Sequence, residues 1–259
     1  MFHSCLRRAN VILFSTFVSC NVLTEGISCK KGDNMAEGKF QDANASNAAQ
    51  RAKEAIGKLD FNGARTVVFS ILAENLPEAT RFDIVHAFAD KFKLKALEEI
   101  RKEIILVGMG HDSFSDLEKK DQRRFGYMKT LAYGLALFGD KGFETAVDLV
   151  RSAGRMTTAF FVGSNPSILY GITTTAVYML LNNNLIDKEK ALRVLSSNIQ
   201  DSDTGISEKG IFIRWAIRIK PVVACDLSRS MAGDSKATEL INLHLSNELR
   251  GKVPCTISK

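Results

Sequence analysis

From Met156 to Ile186 the chain carries no Lys, Arg, Asp or Glu, while charged residues crowd the sequence on both sides. Exposing so much uncharged chain to water is unfavourable, so the stretch has to be enclosed by a bilayer or by protein. Gly163-Ser164-Asn165-Pro166 divides it. Pro166 suits the first turn of a helix, with Ser164 or Asn165 as its cap. The helix that follows, Ser167 to Leu181, falls short of the ~20 residues that cross a bilayer. Tyr170, Tyr178 and the run Thr173-Thr174-Thr175 lower its hydropathy further. The expectation is a central apolar helix at 167–181, buried in protein, and no transmembrane span.

The flanking sequence consists of amphipathic helical patterns. Ala64, Val67, Val68, Ile71 and Leu72 recur at the spacing of one helical face, and Pro77 ends that pattern. Phe82, Val85 and Ala89 mark a second inward face. Leu94, Leu97, Ile100, Ile104 and Val107 mark a third, stopped by Gly108-Met109-Gly110. Leu117 to Phe138 begins charged and turns apolar, as one bent helix or two. Ala146, Val147, Val150 and Ala153 share the next face. Helices over 188–199 and 208–219 follow, with Asp187 and Ser207 as caps, then one over 236–249 closed by Gly251. No segment alternates as a strand does. The fold class expected is all-α, a multi-helix bundle or short α-solenoid of about ten helices joined by short loops. A single all-α domain is expected over 48–251, with a subdivision near 108–113 as the variant. Residues 47–107 resemble tetratricopeptide-type hairpins in having an apolar second helix with Phe69 and a closing Pro77. No second copy keeps the ~34-residue register of that repeat, so the likeness implies general helix-pair packing.

Residues 1–28 have the layout of a secretory signal peptide. Arg7-Arg8 precede the apolar run Val11 to Leu23, and Gly26-Ile27-Ser28 offers small residues before a cleavage point. Phe17-Val18-Ser19-Cys20 resembles the lipobox of bacterial lipoprotein leaders, which implies Cys20 as a lipidation site. A second reading takes Met35-Ala36-Glu37 as the start and the preceding residues as a mis-assigned upstream extension. The first reading, the favoured one, exports the protein as a secreted, periplasmic or lipid-anchored species. The second leaves it cytoplasmic. Residues 29–47 read as a flexible linker, with Asn44-Ala45-Ser46 as a glycosylation acceptor in a eukaryotic secretory path. Residues 252–259 read as an irregular C-terminal tail. Cys225 and Cys255 are either free thiols or a single bridge.

Chemistry is sparse. HExxH, CxxC, GxSxG and GxxxxGK[ST] are absent, and each of these spacings is what gathers its reactive groups in one place. His3, His86, His111 and His244 are far apart, so neither a metal nor a cofactor is implied. Asp201-Ser202-Asp203-Thr204-Gly205 begins like a calcium loop, but Phe212 stands where the bidentate Glu is needed. His111 and Asp112, in a glycine-flanked break, are the loop candidates for a catalytic role. Lys209, Arg214, Arg218 and Lys220 form a candidate basic face for phosphates, on a chain whose net charge of +6 is mild for its length. The function expected is that of a non-enzymatic helical protein acting through a protein–protein interaction surface, with a protein partner of unknown identity. Two alternatives are a peripheral binder of nucleic acid or anionic lipid, using the basic face, and an enzyme whose site is assembled from distant residues.

Overall fold

The structure, a computed structural model, describes residues 34–109, 114–159, 166–220 and 226. Every element among them is a helix: α1 (Asn34–Lys58), α2 (Phe61–Leu72), α3 (Glu78–Phe92), α4 (Leu94–Gly108), α5 (Phe114–Lys120), α6 (Gln122–Ala136), α7 (Asp140–Ala159), α8 (Ser167–Asn182), α9 (Lys188–Gln200) and α10 (Ile206–Ile219). The chain is all-α, as its patterning predicts. Carboxylates start several helices. Asp60 accepts from the Gly63 amide at 2.8 Å, and Asp121 from the Arg124 amide at 2.9 Å. Asp187 accepts from the amides of Glu189 and Lys190 at 2.9 and 3.1 Å. Such a cap satisfies amides that have no partner inside the helix and stabilises by ~1 kcal/mol.

Some expectations change. The polar run over 29–47, expected as a linker, is helical from Asn34 onward. Ala45, Ala48, Ala52, Ala55 and Ile56 are buried at helical spacing, and α1 packs there on α2 and α3. Leu117 to Phe138 lies in two helices, because Asp121 leaves α5 and caps α6. Gly205 takes the N-cap position of α10, so Ser207 lies within its first turn. Leu94 is not an inward residue: it is 63% exposed. At ~100° per residue it sits ~100° away from the middle of the face made by Leu97, Ile100, Ile104 and Val107.

The helices form a stack ordered along the chain. α1 packs on α3, α3 on α6, α6 on α8 and α8 on α10. α2, α4, α7 and α9 pack against these, with α4 and α9 both reaching α7. One cluster of buried apolar residues runs from Ala48 to Ile217, with Ile104 and Leu117 on either side of 108–113. α8 is the hub. It touches α4, α5, α6, α7 and α10, and Ile168, Leu169, Ile172, Ala176, Val177 and Leu180 have no exposed surface. With neighbours on so many sides, a helix of this kind needs apolar residues all round. Its buried Thr173 satisfies its own hydroxyl by donating to the Leu169 carbonyl at 2.9 Å. No described helix is long and apolar enough to cross a membrane.

The turn between α3 and α4 is strained. Lys93 has φ 51° and ψ −126°, a region that glycine enters freely and L side chains enter at a cost of ~1–3 kcal/mol. Its amine pairs with Asp90 at 2.7 Å, but both groups are exposed, and such pairs contribute ~0–1 kcal/mol. Relief of strain outweighs that loss. Lys93→Gly is expected to raise the urea unfolding midpoint, with unchanged slope, by an amount equivalent to ~1 kcal/mol. A lowered midpoint would show that the turn relaxes elsewhere.

Candidate interaction surface

The basic candidates all lie on or just after α10, but they do not share a face. Lys209 and Arg214 are half-buried, while Arg218 and Lys220 are exposed. At ~100° per residue, Lys220 falls ~20° from Lys209, whereas Arg214 and Arg218 fall ~140–180° from it. Between the two pairs the helix is enclosed by Ile211, Phe212, Ile213, Trp215, Ala216 and Ile217, all buried. Arg218 lies along the surface of α8: its guanidinium is 5.5 Å from the centre of the Tyr178 ring and donates to the Asn182 side-chain oxygen at 3.5 Å. His111, Asp112 and Cys20 lie outside the described residues. Among the described residues no group of three His, Cys, Asp or Glu side chains is placed to hold a metal ion.

Buried polar chemistry occurs instead at joints between helices. Glu208, in the first turn of α10, is 6% exposed and accepts from the Tyr170 hydroxyl of α8 at 2.5 Å. Gly154 of α7 and Gly205 border the carboxylate, and a Cβ at 154 would stand 3.2 Å from its Oε1. Burial pushes the Tyr170 phenol up, and its hydrogen bond to Glu208 pushes the same way. The phenol is therefore held as a donor, not as a base. Nearby in the chain, Arg151 of α7 meets Asp201 of the α9–α10 loop at 2.5 Å. Together these groups fasten α7, α8 and α10. They hold one another across the joint. Arg81 of α3 behaves similarly. It is buried, and its guanidinium donates to the Glu74 carbonyl at 2.9 Å across the α2–α3 loop.

Glu99 of α4 joins α2 to α4 in the same way. It accepts from Arg65 at 3.1 Å and from Lys102 at 2.8 Å. Burial works to raise its pKa, but the hydrogen bonds from Lys102 and Arg65 outweigh it and hold the carboxyl below its ordinary value. A carboxylate depressed in the folded state stabilises above its unfolded pKa, and that stabilisation disappears as pH falls through the folded value. The stability difference between wild type and Glu99→Gln should therefore be full at pH 7 and shrink as pH drops below the usual carboxylate range. Urea titrations at pH 7, 5 and 3 check this, and a difference that stays constant with pH would exclude the ion pairs as its source.

One edge of the stack carries unburied apolar side chains on adjoining turns. The α1–α2 turn reads Lys58-Leu59-Asp60-Phe61, and the α3–α4 turn reads Lys91-Phe92-Lys93-Leu94-Lys95. The rings of Phe61 and Phe92 meet edge-on at 5.3 Å, which brings the two turns side by side. Phe88 lies beneath both, at 6.0 Å from Phe61 and 5.0 Å from Phe92. Leu59 on the first turn is 45% exposed and Leu94 on the second is more so, while Phe61 and Phe92 are half-buried. Lys95 lies over the Phe61 ring at 5.9 Å. Sequence reasoning missed this surface by placing Leu94 inward. The signal that finds it is the phase of Leu94 within α4, together with the doubled pattern of apolar residues around each turn.

No family model, curated protein or solved structure matches the chain.

Proposed function

We propose that this protein is a non-enzymatic helical scaffold that binds another protein through its surface. The observation that carries the reading is the edge where the half-buried rings of Phe61 and Phe92 meet, on two turns that leave Leu59 and Leu94 exposed. Single exposed leucines are ordinary on protein surfaces; apolar side chains from two turns in one place favour association. The buried acids, tyrosines and arginines support the same reading, since they hold helices to one another and leave the outer surface as the working part.

A photoreactive amino acid placed in turn at Leu94, Leu185, Arg218 and Ser70 tests this in the native cells. These positions sample the edge, the α8–α9 turn, α10 and α2, and all are exposed. The expected result is a discrete protein adduct at one position or more. Adducts to nucleic acid or lipid alone, or the lack of a protein adduct at every position, would overturn the reading.

A further inference from the structure

Resting on the scaffold reading, we infer that the Leu59–Leu94 edge is the docking surface, and that its partner is a protein segment presenting acidic side chains around apolar ones. The charges around the edge set that chemistry. Lys58 and Lys93 are answered within the chain, by Glu54 at 4.0 Å and by Asp90 at 2.7 Å. Lys91 and Lys95 make no ion pair among the described residues, and both are exposed. Asp60, the only acid within the two turn sequences, already gives an oxygen to the Gly63 amide. Two of the four lysines that border the apolar group, Lys91 and Lys95, thus lack carboxylates, and a partner that supplies them gains both steering and register.

The same residues disfavour an anionic membrane. Asp60 lies between Leu59 and Phe61, so inserting those side chains would carry a carboxylate against lipid phosphates. A protein can place a donor opposite Asp60 and carboxylates opposite Lys91 and Lys95. The strained Lys93 belongs to the same turn and presents Leu94 as the most prominent residue of the edge. The start of α1 is remote from this place: the helix runs 25 residues from Asn34 to Lys58, which sets its ends ~36 Å apart at the rise of an α-helix.

The experiment compares adduct formation at Leu94 between the otherwise native full chain and the variant Lys91→Glu with Lys95→Glu. Both lysines are exposed, so the melting temperature is expected to stay the same and serves as the folding control. The expected result is a protein adduct at Leu94 whose cross-linked peptide contains Asp or Glu, with a yield lowered about tenfold in the double variant. An unchanged yield at Leu94 would overturn the acidic partner while leaving the scaffold reading intact. A protein adduct at Leu185, Arg218 or Ser70 with none at Leu94 would move the docking surface elsewhere. Absence of protein adducts at all four positions would remove the scaffold reading itself. Purified protein is also mixed with phosphatidylserine–phosphatidylcholine vesicles; binding lost on Leu94→Glu would replace the protein partner by a membrane and overturn the inference.

Discussion

Replacing Trp215 by alanine is expected to remove ~3–5 kcal/mol of stability, the range for truncating a large aromatic in a packed core. Trp215 has no exposed surface. It sits between Phe212, at 5.7 Å, and Phe143 of α7, at 6.4 Å. Its indole N–H donates to the Thr174 hydroxyl of α8 at 3.2 Å. The truncation therefore opens a void and deprives Thr174 of its donor, at the point where α7, α8 and α10 meet. It is the one tryptophan of the chain, so its fluorescence reports on this junction alone. In the native protein the emission should be that of a buried indole and should shift to the red in urea. For the Trp215→Ala variant, circular dichroism gives the unfolding midpoint. A loss below ~1 kcal/mol would mean that the junction collapses around the gap or that Trp215 packs elsewhere.

Phe88→Ala should cost about as much, ~3–5 kcal/mol, at the other end of the stack. Phe88 is fully buried. Its ring meets Phe69 edge-on at 5.7 Å, in addition to Phe61 and Phe92. Aromatic pairs add ~0.5–1.5 kcal/mol each beyond the area they bury. Removing Phe88 takes out the ring on which the two turns of the docking edge rest. The variant should lose stability and also show higher amide exchange around Phe61 and Phe92. If exchange rose at α10 equally, the loss would be global and not confined to this end. With Trp215→Ala, the pair asks whether distant halves of a sequence-ordered stack respond independently: their costs should add to within ~0.5 kcal/mol.

What could be read before the structure was local in origin. The central position of α8 follows from the missing charges and from Pro166, both of which act within one segment. Asp187 could be read as a cap because it bonds amides two and three residues on. The polar composition of 34–47 hides the first half of α1, although Ala45 already extends the weakly apolar stripe of Ala48, Ala52 and Ala55. Treating Lys209, Arg214, Arg218 and Lys220 as one face missed the helical angles between them, which sequence numbers alone supply. The Glu208–Tyr170 joint spans 38 residues, and no local pattern connects its two ends. Arg81 looks like any surface arginine until the α2–α3 loop is seen to fold over it. The docking edge lies between these cases. Each turn can be read in the sequence, and only the meeting of Phe61 with Phe92 makes them one surface.

The ordering of the stack also bears on how the chain is made. Every substantial helix contact joins elements within four places of one another. Closing a short loop costs less entropy than closing a long one, and chains rich in local contacts fold quickly. Synthesis proceeds from the N-terminus at ~5–20 residues per second. Phe61, Phe69, Phe88 and Phe92 all belong to α2 and α3, so their ring cluster can assemble on the ribosome before any of α8 has been translated. The early half then offers α6 and α8 a preformed apolar wall on which to land, and the uncharged stretch that most needs shelter leaves the exit tunnel after that wall.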